Sequence, residues 1–234
     1  MSSQSSPQLQ PLRLNKFLAE RLGISRREAD DLIAEGKVKV DGKPAVLGTR
    51  VTCDQEVRLG DEVVEFENTY IYLALNKPTG YACSRKRQGE APTIYELLPE
   101  KYHALKTVGR LDKDSSGLIL LTNDGDFAYK MTHPKFAKTK IYHVELDREL
   151  QPLHQQEIAD FGVQLQDGVS RLGLTRLRET DRRGFEVTMS EGRNRQIRRT
   201  FEALGYSVKS LHRLEFGPYK LAGLEPGDFT EITA

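Results

Sequence analysis

The chain has 234 residues and a formal net charge of +1, from 35 basic and 34 acidic side chains, so its overall charge does not by itself indicate a polyanionic partner. Hydrophobic residues make up 38% of it, which suffices for one large core or for a small domain beside a medium one. No apolar run approaches the roughly 18 residues that a membrane-spanning helix needs, and residues 1–11 lack the basic start and apolar segment of a secretion signal, so they predict a disordered tail.

Residues 12–66 predict two short helices followed by small strands. Ser25 and Glu28 have the spacing of a capping box, which opens the second helix. The Asp-Gly pair at residues 41–42 lies between alternating residues and predicts a hairpin turn. Apolar residues recur at helical spacing and predict the inward faces of the helices: Leu14, Phe17, Leu18 and Leu22 in the first, and Ala29, Leu32 and Ile33 in the second.

Basic side chains in the predicted helical pair suggest an anion site. Arg26 and Arg27 fall in the first turn of the second helix, where the helix dipole disfavours cations unless an anion binds there. Lys16 and Arg21 on the preceding helix would extend such a phosphate site. The alternative is a solvated charged face, since the segment carries about as many acids as bases.

The run RLNKFLAERLGISRREADDLIAEGKVKVDG, residues 13–42, closely resembles an S4 domain, a small RNA-binding module of ribosomal proteins and RNA-modifying enzymes. The resemblance covers nearly all of residues 12–66 and implies that the helical pair docks on structured RNA. Asn15 departs from the family pattern, which usually has Asp, and this affects a local hydrogen bond. Residues 67–69 are expected to link this domain to the next.

Residues 70–234 predict a second domain of the α+β class. It starts with a buried strand that ends in a turn at residues 76–80. Strands outnumber helices and short turns join them, so a mixed, largely antiparallel sheet is expected. The other predicted elements are a helix over residues 125–131, a strand over 140–147, a helix over 152–160, and strand, loop, helix and strand over 184–216.

The stretch GRLDKDSSGLILLTNDG, residues 109–125, places a polar loop between segments that look deeply buried. Its apolar run, residues 118–121, predicts a strand covered on both faces. Asp112 in the loop is either a turn-former or a reagent. The local sequence alone favours the turn-former, because Asp side chains commonly bond the backbone of their own turn.

The run GRNRQIRR, residues 192–199, is the densest basic cluster, with Arg193, Arg195, Arg198 and Arg199. Ile197 is expected to anchor a helix to the core and so to turn the neighbouring arginines away from the buried stripe. Arginines at a helix start oppose the helix dipole. The cluster therefore predicts an edge that holds a buried carboxylate on one side and RNA phosphates on the other. A solvated basic face is the alternative.

The second domain resembles the pseudouridine synthases of the RsuA/RluB type, which pair an S4 domain with this catalytic domain. The resemblance rests on LNKPTG, GRLDKDSSGLILLTNDG, KIYHV, SEGRNRQIRR and LEPGDFTEIT, and with the S4 run it covers residues 12–233. It implies that Asp112 is the catalytic aspartate, that Tyr142 stacks on the target base, and that Arg198 is the partner of Asp112. The substrate-binding residues that we assign with it are Arg110, Lys77 and Arg195, and the RNA-binding residues are Lys16, Arg21, Arg26, Arg27, Arg193 and Arg199.

The same resemblance implies isomerisation of a specific uridine in ribosomal RNA, without metal or cofactor. The form NRQIRR points to the large subunit, with the small subunit as the alternative. The expected partner is ribosomal RNA or an assembling ribosomal subunit, and the expected protein is a cytoplasmic monomer. Cys53 and Cys83 lie far apart and outside any Cys/His cluster, which argues against a disulfide framework and a zinc site. Thr200 stands where the family prefers Met or Leu, which questions local packing.

Two other classes of function share some of these features. A glycoside hydrolase could use Asp112 and Asp114 as a pair of carboxylates, which in such enzymes lie roughly 5 to 10 Å apart. A non-catalytic RNA-binding protein would need only the basic residues, and on pattern alone an ordinary core position explains Tyr142 better than a stacking role does. A pseudouridine synthase needs Asp112 ionised, whether it attacks the sugar carbon or removes the C2′ proton. Burial would oppose ionisation and Arg198 would favour it.

Overall fold

A computed structural model describes residues 11–66, 70–87 and 89–234. The chain divides into two compact units, Met1–Tyr70 and Ile71–Ala234, and each has a hydrophobic core of its own. The predicted linker, residues 67–69, and the predicted tail up to residue 10 lie outside the described residues.

The first unit combines two helices with short strands. A four-stranded antiparallel sheet has the order β3-β2-β5-β6, and β1 pairs with β4. The elements are β1 (Leu12–Arg13), α1 (Leu14–Arg21), α2 (Arg26–Ala34), β2 (Val38–Val40), β3 (Lys43–Pro44), β4 (Arg50–Val51), β5 (Val57–Leu59) and β6 (Glu62–Val63).

Local sequence signals account for the helix start and the hairpin of this unit. Ser25 Oγ accepts a hydrogen bond from Glu28 N at 3.1 Å, and Ser25 N donates to Glu28 Oε2 at 2.6 Å, so the predicted capping box is confirmed. The predicted hairpin is confirmed as well, since residues 41 and 42 have φ of 50° and 75° between β2 and β3. Leu22 is the exception on the inward face: the helix ends before it, and the side chain is 37% exposed.

The second unit is built on a nine-stranded sheet. The strands of this unit are β7 (Tyr72–Lys77), β8 (Lys106–Val108), β9 (Ser116–Thr122), β10 (Lys140–Leu146), β11 (Val163–Leu165), β12 (Gly168–Ser170), β13 (Gly173–Arg178), β14 (Asp181–Met189), β15 (Val208–Phe216), β16 (Tyr219–Lys220) and β17 (Phe229–Glu231). Strands β11 and β12 form a separate hairpin, and the other nine form the sheet. Its α-helices are α3 (Gly125–Thr132), α4 (Pro152–Gln156) and α5 (Gln196–Ala203), with short 3-10 helices at Ile94–Leu97, Glu100–Tyr102 and Pro134–Phe136.

The sheet is mixed and largely antiparallel, which confirms the predicted α+β class. Its main order is β13-β14-β10-β15-β9-β7-β17, in which β9 and β15 run parallel while β10 pairs antiparallel with β14 and β15. The predicted helix over residues 152–160 is present, but only its first five residues, which form α4, are α-helical. It continues from α4 as a π-helical turn, Glu157–Phe161, and ends at Gly162, whose φ is 81°.

Strand β9 lies at the centre of the second unit and carries the predicted buried run. The four residues from Leu118 to Leu121 are fully buried, as a strand covered on both faces requires. Just before them, Gly117 has a φ of 102°, and a Cβ there would lie 2.2 Å from the backbone oxygen of Arg213. Only glycine therefore permits this approach of β9 to β15. The approach places the loop before β9 beside β15.

Helix α5 packs on the sheet through the predicted apolar residues. Ile197 is 4% exposed and Phe201 is fully buried. Thr200, where the resemblance raised a packing question, is also fully buried, and its Oγ1 lies 2.7 Å from Ser170 Oγ and 2.8 Å from Gln196 O. The hydroxyl has polar partners, so the position is satisfied without an apolar side chain.

Candidate active site

A cavity of about 330 Å³ opens in the second unit, against the sheet. Its walls come from the loop before β9, from the amino-terminal half of β10, from residues 192–197 at the start of α5, and from the carboxyl-terminal half of β15. Residues that are far apart in sequence thus meet at one place because β10, β15 and β9 are neighbours in the sheet. The cavity brings together Arg110, Asp112, Tyr142, Arg193 and Arg195 of the predicted site.

Asp112 lies in the polar loop just before β9. Its backbone oxygen accepts a hydrogen bond from Ser115 N at 3.1 Å, which closes the turn. Its carboxylate accepts instead from Arg195 Nη1 at 3.2 Å, and the side chain is 36% exposed and lines the cavity. The backbone thus forms the turn, and the carboxylate faces the space in which a ligand would lie.

Asp114 has a different environment from Asp112. Its carboxylate lies 3.3 Å from Arg195 Nη1 and 3.3 Å from Arg198 Nε, and it does not line the cavity. Partial burial opposes ionisation of Asp114, but the hydrogen bond from Arg195 and the charge of Arg198 outweigh it and lower its pKa. Asp114 is therefore a fixed anion that ties the loop to α5.

Arg198 differs from its prediction in two respects. The side chain is only 11% exposed, so it is turned inward and not away from the core. It donates from Nη1 to Val208 O at 2.9 Å and from Nη2 to Asp114 O at 2.9 Å. The predicted pair with Asp112 is replaced by Arg195, because Arg198 lies further along α5 and its guanidinium is held between β15 and the loop backbone.

Arg195 reaches Asp112 because of its own backbone conformation. It is the N-cap of α5 with a φ of 46°, in the left-handed region that non-glycine residues rarely adopt. This conformation directs the side chain towards the loop before β9, where it bonds both Asp112 and Asp114. Arg195 is the predicted substrate-binding arginine that the structure places against the reactive candidate.

Lys77 was predicted to bind substrate, and the structure places it outside the cavity lining. The side chain is fully buried at the end of β7 and does not line the cavity. Its Nζ donates to Ser115 O at 2.6 Å and to Pro78 O at 2.9 Å, and burial lowers its pKa. Lys77 therefore stabilises the Asp112 loop. A buried cation needs hydrogen-bond acceptors, and the backbone carbonyl oxygen of Ser115 in this loop is one of them.

Tyr142 lies on β10 with its ring in the cavity wall. The residue is 7% exposed, and its strand neighbours are Val187 on β14 and Arg213 on β15. The apolar side chains that line the cavity with it are Leu111, Met189, Ile197, Leu211 and Phe216. The ring thus stands in an apolar wall of the same cavity whose polar wall carries Asp112.

Arg193 and Arg199 were predicted to bind RNA, but the structure engages both internally. Arg193 lines the cavity, and its guanidinium donates to Asp167 O and Gly168 O, both at 3.0 Å, and to Val169 O at 2.8 Å. Arg199 makes two bonds to the Asp167 carboxylate, at 3.0 and 2.7 Å. Asp167 explains the difference, since it draws both cations onto the hairpin of β11 and β12.

Two cationic residues of the cavity were missed in the sequence. Lys140 donates from Nζ to Lys138 O at 3.2 Å and to Glu191 O at 3.3 Å, and burial together with the charge of Arg213 lowers its pKa to about 8. Arg213 is 2% exposed and donates from Nε to Leu118 O at 2.7 Å. The period-two rule could have found Lys140, because it shares a strand face with Tyr142.

The predicted RNA-binding residues of the first unit fall into two groups. Arg26 and Arg27 are exposed at the start of α2, as an anion site requires. Lys16 is half-buried and lies 3.9 Å from a glutamate oxygen one turn along α1. Arg21 packs over the ring of Phe17 at 5.4 Å, and burial lowers its pKa. The first group is the better RNA-facing candidate.

Neither a metal site nor a membrane span is found in residues 11–66, 70–87 and 89–234. Within these ranges no group of three or more His, Cys, Asp and Glu side chains could hold a metal ion. No helix there has the length and apolar character to cross a bilayer.

Both units of this chain resemble known proteins. Residues 71–203 match the RNA pseudouridylate synthase family and residues 12–63 match the S4 domain. A Bacillus subtilis protein named ribosomal large subunit pseudouridine synthase B is 36% identical, over 94% of this chain and 92% of its own. A Haemophilus influenzae protein named ribosomal small subunit pseudouridine synthase A is 34% identical, over 95% of this chain and 96% of its own.

A solved structure described as a pseudouridylate synthase has 33% identity and a TM-score of 0.67, and the likeness covers 95% of this chain and 96% of that one. The family match extends over more than half of the chain, and the relatives align with nearly all of it. This chain therefore belongs to the RNA pseudouridylate synthase family, and it carries an S4 domain before the synthase domain.

Proposed function

We propose that this protein converts a specific uridine of ribosomal RNA to pseudouridine in the cavity that Asp112 and Tyr142 line. The observation that carries the proposal is the Asp112 carboxylate, which faces the cavity with Arg195 at 3.2 Å and stands in the same cavity as the Tyr142 ring. In this reaction the bond from N1 to the sugar carbon breaks and a bond from C5 to the same carbon forms. The proton that leaves C5 is balanced by one gained at N1, so the mass of the RNA is unchanged.

Asp112 is the reactive group in both routes open to the chemistry. Either its carboxylate attacks the sugar carbon, or it takes the proton from C2′, and each route needs the anion. A guanidinium 3.2 Å away stabilises that charge. Arg198 acts through the loop, since its hydrogen bond to the backbone oxygen of Asp114 and its ion pair with the Asp114 carboxylate fix the turn that carries Asp112.

Tyr142 and Arg110 serve the nucleotide that must leave its stack before the reaction. Extruding a base costs a few kcal/mol, and stacking on an aromatic ring returns about 1 to 3 kcal/mol of that. Tyr142 offers the ring in the cavity wall, and the exposed Arg110 lines the cavity two residues before Asp112.

A hydrolase that uses Asp112 and Asp114 as acid and nucleophile fits the site less well. The general acid of a glycosidase needs a raised pKa so that it holds a proton near neutral pH. Asp114 has the opposite, since Arg195 and Arg198 lower its pKa, and its side chain does not line the cavity.

The proposed target is large-subunit ribosomal RNA, alone or in an assembling subunit, in the cytoplasm, and the proposed enzyme acts as a monomer. The Bacillus subtilis relative supports the large subunit, and the NRQIRR motif leads to the same choice. The Haemophilus influenzae relative, at nearly the same identity, makes small-subunit RNA the second candidate. Arg26 and Arg27 of the S4 domain supply phosphate contacts that position the RNA.

Pseudouridine mapping of ribosomal RNA from cells with and without this protein tests the proposal. We expect one pseudouridine of the large-subunit RNA to disappear and to return when the wild-type chain is supplied. Loss of a small-subunit site instead would move the target to the second candidate. An unchanged map in both subunits would overturn the proposed substrate.

A further inference from the structure

An exposed aromatic cluster lies at the end of α3 and in the 3-10 helix that follows. The rings of Tyr129, His133 and Phe136 contact one another, with centroid distances of 4.7 Å from Tyr129 to His133 and 5.7 Å from Tyr129 to Phe136. Tyr129 is nonetheless 45% exposed and Phe136 38% exposed. Exposed aromatic side chains that gather at one place mark an interaction surface more often than scattered ones do.

The cluster stands on a fixed base. Met131, between Tyr129 and His133 in sequence, is 4% exposed and packs in the core. A Cβ at Gly217 would lie 2.9 Å from Met131 Cε, so the end of β15 is pressed against the helix at this point. The rings therefore have a defined position although their outer faces are free of the core.

The surface around the rings is basic. Lys135 Nζ lies 5.1 Å from the ring centre of Tyr129 and 4.7 Å from that of Phe136. The segment FAYKMTHPKFAKTK, residues 127–140, contains four lysines and no acidic residue. Aromatic faces interleaved with cations suit single-stranded nucleic acid, whose bases stack and whose phosphates are negative.

The cluster is continuous with the candidate active site. Thr132, next to His133, lines the cavity, and so does Lys140 at the far end of the same segment. Thr132 also lies beside Gly109 in the Asp112 loop, since a Cβ at Gly109 would be 3.6 Å from Thr132 Cγ2. A nucleic-acid strand that enters the cavity therefore passes close to this surface.

We propose that Tyr129 and Phe136, with Lys135 between them, form a stacking platform for an unpaired nucleotide that flanks the target uridine. When the uridine leaves its stack, the neighbouring base loses a stacking partner, and an exposed ring beside the cavity replaces it. This inference rests on the proposed RNA substrate. The lysines favour RNA over an apolar protein segment as the occupant.

Binding of a fluorescent oligouridylate, about ten nucleotides long so that it spans a typical single-strand site, to the full chain tests the platform. The double variant Tyr129→Leu with Phe136→Leu should bind about fivefold more weakly or worse, because aromatic stacking accounts for at least that factor for each base. The single variant Tyr129→Phe keeps the ring and should keep the affinity. Phe161→Leu removes another aromatic ring, 70% exposed and outside the cavity lining, and should bind as wild type does.

A second readout uses pseudouridine formation on ribosomal RNA, where the double variant should show a raised KM. Melting temperatures close to that of the wild type confirm that each variant is folded. Wild-type affinity in the double variant, or an equal loss in Phe161→Leu, would overturn the platform. If the wild type itself formed no pseudouridine, the proposed function would fail whatever the oligouridylate shows, so the two failures are distinguishable.

Discussion

Asp112 and Asp114 lie two residues apart in one turn, but their contacts differ. These contacts favour Asp112 as the reactive group and Asp114 as a structural support of the turn. Asp112 forms an ion pair with Arg195 and lines the cavity, whereas Asp114 forms ion pairs with both Arg195 and Arg198 and does not line it. A carboxylate held by two guanidiniums is a weak base and a poor nucleophile, because it must give up both ion pairs to react. The less engaged carboxylate is the better reagent.

The ring of Tyr142 should matter more than its hydroxyl. Tyr142→Phe keeps the stacking surface and should retain most of the activity, while Tyr142→Leu should lose about five- to 150-fold in kcat/KM, which corresponds to a stacking energy of about 1 to 3 kcal/mol. Steady-state rates on a ribosomal RNA fragment measure this, with melting curves to correct for weakened packing. Equal damage from Phe and Leu would assign the task to the hydroxyl.

Lys140 should give the enzyme a basic limb in its pH profile. Burial and the charge of Arg213 lower the pKa of Lys140 to about 8, so the side chain is charged below that pH and neutral above it. A cation in the cavity favours the RNA phosphate, so kcat/KM should fall as the pH rises through about 8.

The matched variant for this prediction is Lys140→Arg, which stays charged throughout. Profiles of kcat/KM measured on both sides of that pKa should show the decline in the wild type and a flatter curve in the variant. The same decline in both would show that another group titrates.

The close approach of strands β9 and β15 depends on Gly117, so a side chain at this position should destabilise the sheet. Gly117→Ala would place a Cβ 2.2 Å from Arg213 O in a backbone with a φ of 102°, so the two strands must separate. We expect a loss of about 2 kcal/mol or more in the free energy of unfolding, with activity reduced because the Asp112 loop leads directly into β9.

Gly223→Ala is the control for backbone strain alone, since Gly223 has a φ of 77° and nothing within 4 Å of a Cβ. It should cost about 1 kcal/mol. Denaturant unfolding of both variants measures the difference. If Gly117→Ala cost no more than Gly223→Ala, the close approach would not be a constraint.

Elements whose structure depends on residues close together in the sequence could be predicted from it. The Ser25–Glu28 capping box, the buried run of β9 and the Ile197 anchor of α5 each depend on residues within one turn or one strand. Contacts between distant residues could not. Arg198 meets the Asp114 backbone across 84 positions, and the choice of Arg195 as the partner of Asp112 depends on the left-handed backbone of Arg195, which no periodicity reveals.

For the whole molecule, the division into two units predicts that RNA binding is separable from chemistry. Arg26→Ala with Arg27→Ala should weaken binding of ribosomal RNA and reduce the slope of log affinity against log salt by nearly one unit for each phosphate that is no longer neutralised. The control is Lys37→Ala with Arg58→Ala, which removes two cations already paired with Glu35 and Glu56 at 2.6 and 2.8 Å. Titrations over a salt series measure both. Equal slopes in the wild type and the Arg26/Arg27 variant would remove these residues from the RNA face.

The most direct measurement of the central claim is single-turnover pseudouridine formation on ribosomal RNA by Asp112→Asn and Asp114→Asn, with melting temperatures for both. Asp112→Asn should abolish the reaction and leave RNA binding and stability nearly intact, because the amide keeps the shape but lacks the reactive anion. Asp114→Asn should lose about 1 kcal/mol of stability through its weakened ion pairs and keep measurable turnover. Turnover by Asp112→Asn together with its loss in Asp114→Asn would contradict the assignment of Asp112 as the reactive carboxylate.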